Sequence, residues 1–190
     1  MNILKEKLLE TVSPFYFLKV GESYHNIFHI GRMLDIYIKH RDEIFNKYKN
    51  FNEEIFVDAL LWHDAGYVPG KKDNEKSACK LYKINNPKYD VKVCELIMST
   101  IPFSSMDKPE EKILHDLDWF AFSDYEQLCE DEKLIEIEYN VSHDLFVKGR
   151  KDFYIYCLQN FGDGIFKSEI FYYLNVNAKE NIQKRINYME

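Results

Sequence analysis

Apolar side chains recur at three- and four-residue spacing along most of the chain, the period of a helix with one buried face rather than the alternation of a half-buried strand. Ile30, Met33, Leu34, Tyr37 and Ile38 form one stripe. Ile55, Phe56, Ala59, Leu60 and His63 form another, on a helix predicted to stop near Gly66. The second stripe faces the core, so His63 is expected to face it too. A third tract runs from Asp73 or Asn74, either of which can cap it, through Ala78, Leu81 and Tyr82 to a break around Pro87. A fourth covers Val91 to Thr100 and ends before Pro102, because the residue preceding a proline disfavours the helical conformation. The periodicity resumes over Pro109–Phe122, Tyr125–Asn160 and Ser168–Met189, with breaks predicted near Gly149 and at the turn Gly162-Asp163-Gly164. The chain has 190 residues, seven glycines and five prolines, with no internal repeat, low-complexity stretch or linker. One all-α domain over residues 1–190 is the reading that follows.

Composition narrows the classes of partner. A net charge of −7 gives no general attraction to a polyanion, so extended nucleic-acid binding is not expected, although one local cationic pocket would suffice for a phosphate. The first ten residues, MNILKEKLLE, carry charge in every turn, and no segment approaches an uninterrupted apolar run long enough to span a membrane. The four cysteines, Cys79, Cys94, Cys129 and Cys157, form no CxxC pair and read as core thiols, which suits a reducing compartment and a cytoplasmic protein.

Chemistry enters with histidine and aspartate. Three His-Asp dipeptides occur, and their surroundings differ. His143-Asp144 sits among Asn140, Ser142, Lys148 and Arg150, as on a solvated helix face. His63-Asp64 instead ends the nearly all-apolar run FVDALLWHD, where two polar groups entering the core are costly unless paired or bound to a cation. His29 lies beside the first apolar stripe with His25 one turn earlier, and Asp116 and Asp118 lie in the run ILHDLDWFAF. Imidazole and carboxylate from different helices suit a divalent metal with room left for water. From the residues alone, Asp116 and Asp118 are equal rivals for the last ligand position.

In order and spacing, Tyr24-His25-Asn26, His29-Ile30, His63-Asp64 with Tyr67, Asn74-Glu75 with Ser77-Ala78, Asp116 with Asp118, Glu138-Tyr139 and Gly149-Arg150 are similar to the signature of the HD superfamily of metal-dependent phosphohydrolases. Within it, they resemble a small bacterial group of predicted phosphohydrolases. The likeness runs from residue 24 to about 181, with the signature in about 24–122 and C-terminal helices over 123–190. It implies a helical bundle with the metal between core helices, held by His29, His63, Asp64 and Asp118. It also implies hydrolysis of a phosphomonoester or phosphoanhydride, a nucleotide among the candidates, with Asp64 in the catalytic centre. Dinuclear relatives recruit further histidines between the HD pair and the last aspartate. Only His115 lies there, so one divalent ion is expected: manganese, iron, nickel, cobalt, zinc or magnesium.

Around this core, His25 is a candidate to touch a substrate phosphate or to protonate the leaving group, against a plain hydrogen bond at the helix start. Glu75 is a candidate to orient water, although the macrodipole alone favours a carboxylate in a first turn. Lys71 and Lys72 are candidate phosphate ligands, against solvated loop lysines. Arg150 offers a planar fork to a phosphate or a partner to a nearby glutamate. The chain departs from the group's pattern at Phe103, where the group has a histidine, and at Glu136 and Lys179, where it carries arginine, so an anionic substrate would be held differently. Two other classes fit the same residues: an iron-dependent oxygenase, which would need more histidines, and a metal- or nucleotide-binding regulatory module without turnover. The aromatic tract Phe153–Tyr173 is a candidate homodimer contact.

Overall fold

In a computed structural model of the chain, residues 7–162 and 164–189 are described, and among them every regular element is helical. The principal helices are α1 (Ile27–Lys47), α2 (Glu53–Trp62), α3 (Asn74–Asn85), α4 (Val91–Ser99), α5 (Pro109–Asp118), α6 (Tyr125–Tyr139), α7 (His143–Asn160) and α8 (Asn175–Tyr188). Short turns at Leu8–Val12, Ser13–Phe15, Phe120–Ser123 and Tyr172–Leu174 complete the order. None of the described helices is long and apolar enough to cross a membrane.

α2 is the axis of the fold. Every residue from Phe56 to Trp62 is buried, and the helix packs against α1, α3, α4 and α5, which explains why its sequence is apolar on all sides. The Asn52 side chain accepts from the Ile55 N–H at 3.2 Å and fixes where α2 begins. Asn26 caps α1 in the same way, accepting from Phe28 N–H at 2.7 Å. α5 starts at Pro109, with Glu111 reaching back to accept from the N–H groups of Asp107 and Lys108 at 2.9 Å each. All eight helices contribute to one hydrophobic core.

Three expectations need correction. α3 begins where predicted, but neither Asp73 nor Asn74 caps it by its side chain. Asn74 instead ties the preceding loop, accepting from Val68 N–H and donating to the carbonyls of Val68 and Lys71. The break within 125–160 falls at Asn140, not near Gly149. Asn140 adopts the left-handed conformation (φ 50°) that a short polar side chain tolerates, whereas Gly149 continues α7, packing overriding its weak helical propensity. The last helix starts at Asn175 rather than at Ser168. The strap before it forms only turns, Tyr172–Leu174 among them, because its entry is bonded sideways: Phe166 N–H and C=O are both held by the Asn175 amide (2.8 and 3.0 Å), and Ser168 N–H is held by Asp116. In the predicted Gly162–Gly164 turn, Asp163 lies outside the described residues. Gly164 has φ +112°, and a side chain there would run into Asn175, so glycine is required.

α5 anchors this strap from the other side. Asp116 is fully enclosed and accepts from the N–H groups of Lys167 and Ser168 at 2.7 Å each, while His115 Nε2 donates to the Ile165 carbonyl at 3.1 Å. The aromatic tract from Phe153 thus serves the interior: Tyr154, Phe161, Phe166 and Phe171 are core residues, and Tyr156, Tyr172 and Tyr173 remain exposed. All four cysteines are free thiols, Cys157 buried and the others half-buried. Cys79 and Cys94, well separated in sequence, face one another across α3 and α4, each sulfur within 3.8 Å of the other's carbonyl oxygen.

Asp116→Ala should therefore lower stability by about 3 kcal/mol in urea titration, since two buried N–H groups lose their acceptor. Burial pushes the His115 pKa down from 6.5 to about 4. An unfolded chain takes up a proton at about pH 6.5 that the folded chain refuses until about pH 4, so this stabilisation is whole above 6.5 and gone below 4. Relative to His115→Gln, the wild type should lose about 3 kcal/mol of stability across that window in acid titration, the comparison cancelling the opposite contribution of Asp116, whose pKa burial raises to about 7.

Candidate metal centre

Three helices end or begin at one point. Asn26 starts α1 so that His29 falls in its first turn; α2 delivers His63 and Asp64 at its C-terminal end; Asp118 is the last residue of α5. Beyond Asp64 the chain reverses sharply at Gly66 (φ +70°), where a Cβ would strike Leu81, and Gly66 N–H donates to the Phe15 carbonyl at 2.8 Å. Tyr16 adds a hydroxyl bond to the Leu61 carbonyl at 2.8 Å, so the N-terminal turns brace the end of α2.

One donor atom from each of His29, His63, Asp64 and Asp118 lies within 4.8 Å of the other three, a grouping able to hold a metal ion. His29 Nε2 is 3.0 Å from Asp118 Oδ1 and 3.7 Å from Asp64 Oδ2; His63 Nε2 is 3.2 Å from Asp64 Oδ2 and 3.9 Å from Asp118 Oδ1. The histidines are buried and the carboxylates partly exposed.

The His63–Asp64 contact is the informative one. His63 Nδ1 donates to the Leu60 carbonyl at 2.9 Å, which leaves Nε2 with its lone pair towards the cluster. Yet His63 Nε2 and Asp64 Oδ2 are both buried without a hydrogen-bond partner, although only 3.2 Å separates them. Two buried acceptors turned towards one another are costly unless a cation lies between. The electrostatics agree. Burial acts to lower the His63 pKa, but Asp64 and Asp118 carry it up to about 9. Burial likewise acts to raise Asp64, and the imidazoles of His63, His25 and His29 hold it well below the usual carboxylate range. The carboxylates draw positive charge, as a proton on an imidazole or as a bound cation, and two imidazoles with two carboxylates are a donor set able to hold a divalent first-row ion.

The rivalry within α5 is resolved by direction. Asp118 faces the cluster, whereas Asp116, two residues earlier, faces the strap. His115 also points at the strap and adds no ligand. His143-Asp144 is exposed, with His143 Nδ1 at 2.6 Å from Glu136.

His63, Asp64 and Asp118 line a cleft of about 240 Å³, together with His25, Glu75 and Arg150. The rest of its wall is largely aromatic, including Tyr67, Trp119 and Phe153. The Arg150 guanidinium is buried against Phe153 and Tyr154 (5.0 and 4.8 Å from the ring centres), and its Nε donates to the Tyr154 hydroxyl at 3.1 Å. Tyr154 in turn donates to Glu132, which also takes Arg185 Nε at 2.8 Å. Lys71 and Lys72 do not line the cleft: Lys71 folds onto its own loop, 2.5 Å from Ser77 Oγ and 3.3 Å from Asp73, and Lys72 is exposed. A second cleft of about 290 Å³ opens on the far side of His29 and Asp118, bordered by the Arg32–Asp131 pair.

The sequence reading overlooked the buried supports of these groups. The chief of them is Glu138, whose carboxylate lies 2.6 Å from His25 Nδ1. Its only trace in the sequence is the Glu138-Tyr139 pair. Comparison with protein-family models, with curated proteins and with solved structures finds no match.

Elemental analysis of protein purified without chelator should find about one divalent ion per chain. Asp64→Ala should lose it while keeping a cooperative melt, because removing one ligand opens no large cavity. Asp116→Asn should retain it.

Proposed function

We propose that the protein is a metal-dependent phosphohydrolase of the HD type, hydrolysing a small phosphomonoester or phosphoanhydride, with nucleotides among the candidate substrates. The observation that carries the reading is the pair of orphaned acceptors, His63 Nε2 and Asp64 Oδ2, at the wall of a cleft that also holds an arginine and a histidine. In this reading His29, His63, Asp64 and Asp118 hold manganese, iron, cobalt, nickel or zinc in preference to magnesium, which avoids nitrogen ligands. The bound ion supplies a water acidified towards neutrality and polarises a phosphoryl oxygen.

The remaining steps belong to the chain's own side chains. Arg150 is engaged through Nε, and its terminal amino groups carry no hydrogen bond among the described residues, which leaves a fork for a phosphate. Glu75, in the first turn of α3, orients the attacking water, and His25 meets the leaving-group oxygen. The aromatic wall suits an apolar or flat group beyond the phosphorus, and the small volume favours a compact ester. The limited histidine supply in the cluster gives the oxygenase alternative no comparable support.

Manganese-loaded protein is expected to hydrolyse 4-nitrophenyl phosphate and members of a nucleotide and sugar-phosphate panel. Asp64→Asn should lower kcat/KM by roughly 10³-fold or more. Arg150→Lys should raise KM about tenfold, the equivalent of one charge-assisted hydrogen bond. Absence of turnover across the panel with all six metals would remove the hydrolase assignment and leave a binding module.

A further inference from the structure

A carboxylate enclosed in protein is costly unless its oxygens are satisfied, and Glu138 is enclosed completely. It lies one residue from the end of α6, yet all three of its hydrogen bonds reach the loop before α1, 113 or 114 residues away. Oε2 accepts from the backbone N–H of Tyr24 and of His25, at 2.9 Å each, and Oε1 lies 2.6 Å from His25 Nδ1. An ionised carboxylate can only accept, so the proton of the ring must sit on Nδ1 and the free nitrogen is Nε2. The ring cannot turn to exchange them. It is stacked on Tyr67 at 3.6 Å with 13° between planes and meets Tyr24 edge-on at 4.8 Å. Tyr139, next to Glu138, brings its hydroxyl within 3.4 Å of that of Tyr67 and closes the arrangement.

A loop tether would need only the two backbone bonds. The third, to a ring held flat at the rim of the cleft that His63, Asp64 and Asp118 line, does something a tether does not: it selects which nitrogen carries the proton and which is left free. We propose that Glu138 is a positioning residue that fixes His25 with its proton on Nδ1 and its Nε2 directed at the ligand, where it exchanges a proton with an oxygen of an anionic phosphate ester. The identity of that ligand rests on the phosphohydrolase reading. In the reaction, the bond from water oxygen to phosphorus forms as the ester P–O bond breaks, with its electron pair remaining on the leaving oxygen. With the ring entering as the imidazolium, that oxygen takes the proton from Nε2, the attacking water gives up one proton to solvent, and the neutral ring, still Nδ1–H, recovers one from solvent. Throughout, Nδ1–H stays on Glu138, whose charge balances the imidazolium whenever it exists.

Glu138→Gln separates positioning from tethering. The amide oxygen still accepts from Tyr24 and His25, but the amide nitrogen then opposes Nδ1 and forces it to become the acceptor, moving the proton to Nε2. Nitrogen-15 shifts of the neutral His25 ring should show Nδ1–H in the wild type and Nε2–H in Glu138→Gln, with metal content unchanged. With manganese and a phosphate ester of an aliphatic alcohol, whose alkoxide cannot leave unprotonated, kcat should fall roughly 10²-fold in the variant with KM within about twofold, the scale of a lost proton-transfer group. In a His25→Gln background the same substitution should cost no further activity, because it acts through the ring. A wild-type ring protonated on Nε2, an unchanged kcat in Glu138→Gln, or a full additional loss in the double variant would overturn the proposal. The wild-type nitrogen shifts decide it even if the variant does not fold. If the wild type hydrolyses no ester, the hydrolase reading falls, and the nitrogen shifts alone decide the role of Glu138.

Discussion

The constraint on which the rest of the site depends is a buried helix that ends in two acceptors. α2 is enclosed on every side up to Trp62, so the residues that follow emerge inside the protein rather than at its surface. His63 uses Nδ1 to close its own helix turn, and its Nε2 then lies 3.2 Å from Asp64 Oδ2, neither atom having a hydrogen-bond partner. An interior tolerates that contact only when positive charge is supplied. His29 and Asp118 converge on the same point from α1 and α5, which completes a four-donor group able to hold a divalent ion. The all-round burial of α2 and the demand for a cation are two sides of one arrangement.

α5 shows how a single turn of helix serves two purposes. His115 and Asp116 point one way and hold the strap before α8 through the carbonyl of Ile165 and the N–H groups of Lys167 and Ser168. Asp118 points the other way and joins the cluster. Residues i and i+2 lie on nearly opposite sides of a helix, so the two carboxylates of one turn cannot share a role. The strap thereby fixes the rotation of α5, and with it the direction in which Asp118 enters the site.

Much of this was legible in the chain. The three- and four-residue spacing located α1, α2, α4 and α5, and the apolar surroundings of His63-Asp64 distinguished it from His143-Asp144, which is exposed. What failed to show was whatever depends on distant partners. Asn140 rather than Gly149 ends a helix because packing holds α7 straight through an exposed glycine. Asn74 does not cap α3 because its amide is bonded across the loop to Val68 and Lys71. Lys71 has a partner in Ser77 that no spacing rule would choose over a ligand. Asp116 and Asp118 are equivalent by composition and separated only by the strap, whose own sequence reads as helix. Glu138 is the plainest case: its three partners are 113 or 114 residues away, beyond the reach of any local pattern.

The distribution of charge around the cleft follows from the same buried supports. The protein is acidic overall, and the loop lysines after α2 turn away, so positive charge at the cleft comes from groups with fixed geometry. Arg150 is held by Tyr154, which is held by Glu132, which is held by Arg185; His25 is held by Glu138. A side chain ordered before binding loses less conformational freedom when an anion arrives, and its direction is already set. Flexible surface lysines would attract anions generally, whereas a braced guanidinium and a braced imidazole present their N–H and lone-pair groups in fixed directions. Selectivity in such a cleft is therefore a property of the second layer of residues, which makes Glu132 and Glu138 as much a part of the site as the groups that line it.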